Sequence, residues 1–301
     1  MTREEELFVL RATSLTLGVF GQMEDTNGAR VVRSGGSGVF VSPFRAITAR
    51  HVTHDLFNID TTRADQLTRR VRHAEENART DYFELPHSTV LFQAQVGRTL
   101  CPLLWHVSRV WDSPITDISL MEVFADGDEA GGNERTMSGF LEWSLLPPPV
   151  GSRVTTLGYP LTTITTKNDL INIDLKYVQQ EGTVTDIYEL HRDRGMYSFP
   201  CFRIDQPVNH GFSGAPVFWN GKLCGLVSGG FDDETYVASL WPLCLLKYEY
   251  PGLGVLGGEA SFADLFESGE LRSDDWRMIK DRIEKRFDDR GRAYAFIEAH
   301  V

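Results

Sequence analysis

The sequence predicts an all-β protein, and three observations support this fold class. Ten short segments are rich in Val, Ile, Phe, Tyr and Thr, and they alternate or run apolar as strands do. Gly, Pro, Asn and Asp separate many of these segments, which indicates turns. The segments dominate roughly the first 250 residues. Such spacing is typical of a sandwich or of barrels, and not of a βαβ sheet.

In chain order, the predicted strands cover residues 7–15, 38–42, 45–52, 89–96, 117–124, 153–160, 182–190, 201–205, 215–219 and 222–229. One region between them has helical spacing, with apolar residues at Leu67, Val71, Ala74 and Ala78. These side chains would share one face of a surface helix over residues 62–79. We therefore expect a helical insertion near residues 60–88.

The chain after Gly258 predicts a helical C-terminal extension over residues 259–301. Ser261 would cap a short helix that Gly269 ends. A second helix follows two aspartates, which suit the positive end of its dipole. Its apolar stripe consists of Trp276, Ile279, Ile283 and Phe287. Residues 291–300 predict a last helix.

Composition bounds the class of protein and its partners. The chain has 301 residues, of which 42% are hydrophobic and 24% charged, and this excludes a disordered, collagen-like or coiled-coil protein. The formal net charge is −12. An acidic surface disfavours DNA, RNA and anionic lipid, so we expect neither a nucleic-acid partner nor a membrane partner.

The expected location is the cytoplasm. No apolar run approaches the roughly 20 residues that a membrane helix needs. The first eleven residues carry three glutamates where a signal peptide would carry a basic region. The four cysteines, Cys101, Cys201, Cys224 and Cys244, form no CxxC pair or metal-like spacing. We expect free thiols, no metal and no cofactor.

The strongest chemical signal is the segment Gly-Phe-Ser-Gly, which places Ser213 between Gly211 and Gly214. A nucleophilic serine needs a turn that exposes its hydroxyl and brings backbone N–H groups beside it. Glycine permits the backbone angles of such a turn. Taken alone, the segment is equally compatible with an ordinary Gly/Ser turn.

Two further residues favour the catalytic interpretation. His51 follows an apolar strand, and Asp117 begins another. Histidine suits the role of base because its pKa lies near neutrality. A carboxylate fixes the tautomer of that histidine and stabilises its charged form. The order His, Asp, Ser is one of three known chain orders for this catalytic triad.

Four segments resemble the motifs of trypsin-like serine peptidases, with the nearest likeness to the bacterial Deg group, also called high-temperature-requirement proteases. They are residues 36–52, 117–120, 150–160 and 203–230, in the family's order. The resemblance implies a serine endopeptidase with Ser213 as nucleophile, His51 as base and Asp117 as orienter. It also implies that protein or peptide is the substrate.

The resemblance further implies two antiparallel six-stranded β-barrels of the chymotrypsin type. Three consecutive prolines within residues 145–151 mark the boundary between them. The base and its orienter would lie in the first barrel and the nucleophile in the second. The expected domains are the first barrel with the insertion (1–148), the second barrel (149–258) and the helical extension (259–301).

Carried over position by position, the resemblance assigns an oxyanion hole to the N–H groups of Gly211 and Ser213. Phe212 stands where the family has asparagine or aspartate, and we expect it to alter the substrate-facing surface of the loop. Ala215 replaces the second glycine of the family motif. Neither departure removes a catalytic atom.

The expected substrate-binding residues surround this loop. Ser228 marks the strand that would pair with the substrate backbone. Pro207 and Val208 would lie at the base of the specificity pocket, with Gly229 and Gly230 leaving one wall open. These residues carry no charge, which favours cleavage after an uncharged residue over cleavage after Arg or Lys.

Other residues compete for these roles. His54 could replace His51 as base or form a metal pair with it, although no HExxH motif or thiolate cluster is present. Asp112 could replace Asp117. We expect His210 on the surface or in a supporting role. Asp205 and Asn209 would support the nucleophile loop through hydrogen bonds.

The predicted function is that of an intracellular serine endopeptidase gated by a partner or signal through the insertion or the tail. The tail is too short for the PDZ module of Deg-type proteins, and a bacterial signalling or defence role is one interpretation. The alternative function is a catalytically silent peptide-binding module of the same fold. An esterase is disfavoured, because the GxSxG elbow between strand and helix is missing.

Overall fold

The computed structural model describes residues 3–24, 30–57, 69–71, 82–84, 89–94, 102–125, 141–160, 162–167, 170–231, 233–250, 258–287 and 293–297. The described α-helices are α1 (Arg3–Leu15), α2 (Arg50–Phe57), α3 (Phe262–Glu267) and α4 (Trp276–Ile279), with a 3-10 helix at Trp241–Leu245.

The described strands, in chain order, are β1 (Thr16–Glu24), β2 (Arg30–Ser42), β3 (Arg45–Ala49), β4 (Arg69–Val71), β5 (Tyr82–Glu84), β6 (Thr89–Ala94), β7 (Pro102–Asp112), β8 (Ile118–Ala125), β9 (Glu142–Trp143), β10 (Arg153–Gly158), β11 (Thr163–Lys167), β12 (Leu170–Asp174), β13 (Val178–Tyr188), β14 (Cys201–Ile204), β15 (Pro216–Trp219), β16 (Lys222–Phe231), β17 (Glu234–Ser239), β18 (Lys247–Tyr250), β19 (Gly258–Ser261), β20 (Arg272–Ser273), β21 (Ile283–Phe287) and β22 (Ala293–Ile297).

The first sheet closes into a six-stranded antiparallel barrel. Its strands follow the order β6-β1-β2-β3-β8-β7, and pairing of β7 with β6 completes the ring. The short strands β4 and β5 extend this sheet beyond the ring, because β5 pairs with the outer part of β7. Strands β3 and β8 pair antiparallel with Ala49 opposite Ile118, which places His51 and Asp117, each one or two residues beyond this pair, at the same end of the two strands.

Six strands of the second sheet form a curled barrel in the order β15-β10-β13-β14-β17-β16. β15 also pairs with β16, while its contact with β10 spans only two residue pairs. Strands β9 and β20 extend the sheet beyond β16. The two sheets form the chymotrypsin-like double barrel that the sequence predicts.

One hydrophobic core runs through both barrels. Buried Ile47 and Leu120 of the first barrel share a cluster with Leu226 and Leu240 of the second, together with Phe262 of the C-terminal segment. A second cluster fills the inside of the second barrel and contains Phe202, Phe212 and Val217. The shared core fixes how the two barrels face each other.

The segment predicted as a strand over residues 7–15 is instead part of helix α1, so that prediction is wrong. Its sequence is rich in Glu, Leu, Arg and Ala, which favour helix. Ala12 and Leu15, three residues apart, are buried on one face. Phe8 packs edge-on against Phe218 of the second barrel, with ring centroids 5.3 Å apart.

The prediction of a helix over residues 62–79 is also wrong at the three of these residues that the structure describes. Arg69–Val71 forms β4 and pairs with Tyr82–Glu84, so these three residues are not helical. The remainder of the predicted helix over residues 62–79 lies outside the described residues. Backbone pairing with β5 outweighs a weak helical periodicity, because tertiary hydrogen bonds override propensity.

The C-terminal extension is helical only in its first half. Helix α3 begins after Ser261, whose backbone N–H donates to the Asp264 carboxylate at 2.7 Å, as the capping prediction requires. Helix α4 ends at Ile279, and the residues predicted to continue it form β21. The last predicted helix is β22, which pairs with β21. Ile283 and Phe287 lie on one face of β21, and β22 is apolar throughout, so both segments suit a strand as well as a helix, which explains the error.

Candidate active site

His51 lies in the first turn of α2, directly after the buried strand β3. The backbone N–H of Arg50 donates to the Asp117 carbonyl at 3.1 Å, which ties the start of this helix to the chain before β8. The His51 side chain remains 38% exposed. The imidazole is therefore anchored on one side and accessible on the other.

Asp117 holds the anchored side of the imidazole. Its buried carboxylate accepts hydrogen bonds from His51 Nδ1 at 2.8 Å and from the His51 backbone N–H at 3.2 Å. The Ser228 hydroxyl donates a third bond at 2.5 Å. Since Nδ1 carries the proton in this arrangement, the lone pair of the neutral ring lies on Nε2.

The pKa of His51 is raised above its ordinary value of 6.5. Burial of the ring disfavours the charged form, but the hydrogen bond and the negative charge of Asp117 outweigh it. Asp55 adds to this effect and Arg50 opposes it. The site therefore stabilises an imidazolium, which is the state that a general base reaches after it takes a proton.

Ser213 lies in a tight turn between two glycines with left-handed backbone angles. Gly211 has φ +94° and Gly214 has φ +81°, conformations that other residues rarely adopt. The turn is held by bonds from the Ala215 N–H to the Phe212 carbonyl at 2.8 Å and from the Gly214 N–H to the Val227 carbonyl at 2.7 Å. Ser213 itself is half-buried.

The turn packs against the segment that carries His51. A Cβ atom on Gly36 would lie 2.4 Å from the Ser213 carbonyl oxygen and 2.8 Å from a methyl group of Val52, the residue after His51. Among the described residues, no hydrogen bond joins Ser213 Oγ to His51 Nε2. Catalytic hydrogen bonds are often long in unliganded enzymes and tighten when substrate binds.

The expected oxyanion-hole donors lie on this turn. None of the hydrogen bonds within the described part of the chain uses the N–H of Gly211 or of Ser213. A trans peptide points its N–H away from its carbonyl, and the Phe212 carbonyl is held by Ala215. The Ser213 N–H therefore points to the opposite side, away from Ala215.

The structure corrects the prediction for Phe212. Its ring is fully buried in the core of the second barrel and cannot form a substrate-facing surface.

Asp205 is exposed, and its carboxylate accepts a bond from the Thr183 N–H at 2.5 Å. Asn209 accepts a bond through its carbonyl from the Phe212 N–H at 3.2 Å.

The expected specificity residues lie beside one another. A Cβ on Gly230 would lie 2.8 Å from a methyl group of Val208, and Pro207 is exposed next to it. Gly229 faces the Tyr197 hydroxyl, which would lie 2.8 Å from a Cβ there. Within the described residues, the 228–231 part of β16 pairs only with β17. Its other edge is therefore open to an extended peptide.

The competing residues form a separate pair. His54 Nε2 lies 2.6 Å from the Asp112 carboxylate, which also accepts a bond from the Ser119 hydroxyl at 2.5 Å. Asp112 is therefore the hydrogen-bond partner of His54, and Asp117 is the hydrogen-bond partner of His51. His210 is exposed. In the described ranges, no three or more His, Cys, Asp and Glu side chains are arranged to hold a metal ion.

Two contacts of the site were not anticipated from the sequence. The Ser228 side chain bonds Asp117, beyond its expected role in the substrate-binding strand. Ser37 bonds the carbonyl groups of Gly211 and Ser213. Its position within the Gly-Ser-Gly segment of β2 was the only sequence signal for it.

The described cysteines Cys201, Cys224 and Cys244 are buried free thiols, and burial raises their pKa values. Cys101 lies outside the described residues. No described helix has the length and apolar character needed to cross a membrane.

Comparison with known proteins points to one family. A family model described as a trypsin-like peptidase domain matches residues 36–226. No curated protein matches the chain. Among solved structures, the active form of the Rv3671c protease from M. tuberculosis is similar, at 15% identity and a TM-score of 0.46, over 77% of this chain and 78% of that chain. Deg5 is similar at 13% identity and a TM-score of 0.48, over 78% of this chain and 90% of that chain.

We expect Asp117→Asn to lower the pKa of His51. The substitution removes the negative charge that raises this pKa, while burial and Arg50 continue to lower it. NMR titration of the imidazole signals, with His51→Gln to assign the resonance, measures the change. Asp112→Asn is the matched control and should leave the His51 titration unchanged. An unchanged His51 pKa in Asp117→Asn would contradict the assigned pairing.

Proposed function

Because this chain belongs to the trypsin-like peptidase family, we propose that it is a serine endopeptidase with a His51, Asp117 and Ser213 triad. The observation that carries the proposal is the 2.8 Å bond between His51 Nδ1 and the buried Asp117 carboxylate. This bond leaves Nε2 as the base on the accessible side of the ring. The glycine-flanked turn of Ser213 packs against the same segment of the first barrel.

The proposed reaction follows from these positions. His51 Nε2 takes the proton of Ser213 Oγ as that oxygen attacks the peptide carbonyl. The developing oxyanion is stabilised by the N–H groups of Gly211 and Ser213. The imidazolium then gives its proton to the leaving amine, and an acyl-enzyme remains. Water, activated by the same histidine, releases the acid product.

The substrate is proposed to bind as an extended strand along the open edge of β16. Ser228 and Gly230 would supply the backbone hydrogen bonds, and Val208 would line the specificity pocket beside them. This arrangement supports protein or peptide as substrate. The buried free thiols support an intracellular, reducing location.

The central test is labelling with a fluorophosphonate probe. We expect labelling of the full chain that disappears in Ser213→Ala and falls by at least about 10⁴-fold in His51→Ala, because the triad acts as a unit. The labelling rate should rise with pH through the raised pKa of His51, since only the neutral ring accepts a proton. Ser198→Ala, an exposed serine outside the site, is the control. A folded chain that never labels would favour the silent peptide-binding module.

Cleavage after uncharged residues is the expected specificity. Pro207, Val208, Gly229 and Gly230 offer no carboxylate to bind a basic side chain. Digestion of a mixed peptide library, with the products identified by mass spectrometry, measures the preference. Dominant cleavage after Arg or Lys would contradict this assignment while leaving the peptidase function intact.

We further propose that a binding partner gates the activity. Strand β4 is the outermost strand of the first sheet, where a partner strand could pair. The purified chain alone should digest unfolded casein slowly and label only in part with excess probe. Fast digestion with complete labelling would contradict gating.

A further inference from the structure

Ser37 connects the first barrel to the second through three hydrogen bonds, two of which go to the nucleophile turn. Its hydroxyl donates to the Gly211 carbonyl at 2.8 Å and accepts from the Tyr159 N–H at 3.0 Å. Its backbone N–H donates to the Ser213 carbonyl at 2.8 Å. The side chain is fully buried. It therefore acts on the turn without being able to touch a substrate.

These bonds hold the peptides on both sides of the Ser213 N–H. The Gly211 carbonyl belongs to the peptide before Phe212, and the Ser213 carbonyl belongs to the peptide after Ser213. The Phe212 carbonyl between them is held by the Ala215 N–H at 2.8 Å. Because each peptide is planar, three fixed carbonyls determine where the Ser213 N–H points.

The residues around Ser37 pack closely and leave little space beside the nucleophile turn. A Cβ on Gly158 would lie 2.9 Å from the Ser37 hydroxyl oxygen and 3.0 Å from the Phe212 ring. A Cβ on Gly211 would lie 2.9 Å from Pro160 Cα. Residues 158–160 therefore pack closely against the turn and against Ser37 of β2. The Ser37 hydroxyl lies where these three segments meet.

We propose that Ser37 is a positioning residue for the oxyanion hole, an inference that rests on the proposed peptidase function. Without its hydroxyl, the Gly211 carbonyl and the Tyr159 N–H both lose a partner. The peptide between Gly211 and Phe212 then keeps only the bond from the Phe212 N–H to the Asn209 carbonyl at 3.2 Å, and it rotates toward a new partner for its carbonyl, because a buried unpaired carbonyl is costly. That rotation turns the hole donors away from the position of the oxyanion.

The experiment compares Ser37→Ala with Ser42→Ala, a buried serine at the far end of the same strand. We expect the fluorophosphonate labelling rate to fall about 10- to 100-fold in Ser37→Ala, less than the 10²–10³-fold loss from removing a donor outright. Ser42→Ala should stay within about twofold. The labelling rates of both variants are measured at a temperature well below their midpoints of thermal unfolding. Ser37→Gly, which also lacks the hydroxyl, replaces the alanine variant if that variant does not fold.

The pH profile separates positioning of the hole from a general loosening of the site. In Ser37→Ala the plateau of the labelling rate should fall while its pH midpoint stays, because the His51–Asp117 pair is untouched. An unchanged plateau, or an equal fall in Ser42→Ala, would overturn the proposal. A displaced midpoint would also overturn it, because the base would then be affected instead of the hole.

The hydrogen-exchange rates of the backbone amides in the turn report on its order and do not require an active enzyme. The hydrogen-bonded amides of Phe212, Gly214 and Ala215 should exchange at least about tenfold faster in Ser37→Ala than in the parent chain or in Ser42→Ala. Equal exchange in all three would overturn the role of Ser37 even if the parent chain labels. If Ser37→Ala exchanges faster than a parent chain that itself never labels, the Ser37 contact orders the turn and the peptidase function has failed.

Discussion

The buried carboxylate of Asp117 is the group on which the rest of the site depends. It accepts bonds from His51 of its own barrel and from Ser228 of the other barrel. A buried carboxylate is costly unless its oxygens are paired. The same bonds that stabilise its charge therefore fix the imidazole and bring β16, the proposed substrate-binding strand, against the first barrel.

A second connection also crosses between the barrels. Ser37 of β2 bonds the carbonyls of Gly211 and Ser213, and Gly214 packs tightly against Ala49 near the start of α2. Together, the two connections set the distance and orientation of the proposed base and the proposed nucleophile. The shared hydrophobic core supplies the stability, and these few polar contacts supply the alignment.

Several errors of prediction have a common physical cause. Residues 7–15 and 283–287 contain apolar residues whose spacing fits more than one regular structure over so short a length. Packing of α1 across both barrels decided the first segment, and pairing of β21 with β22 decided the second. Phe212 was expected to alter the substrate-facing surface because it stands where the family has asparagine or aspartate, yet its ring is buried in the core of the second barrel.

The sequence by itself determined the β class, because alternating strands and the turns between them are local patterns, and its resemblance to trypsin-like peptidases implied the double barrel and the roles of the candidate residues. It identified His51, Asp117 and Ser213 separately, since each stands in its own motif. Only the tertiary structure decided which carboxylate is hydrogen-bonded to which histidine: Asp117 bonds His51, and Asp112 bonds His54. It alone revealed the contacts of Ser37 and Ser228. Such contacts join residues far apart in the chain, and hydrogen bonds between them depend on how two barrels pack, which no local pattern encodes.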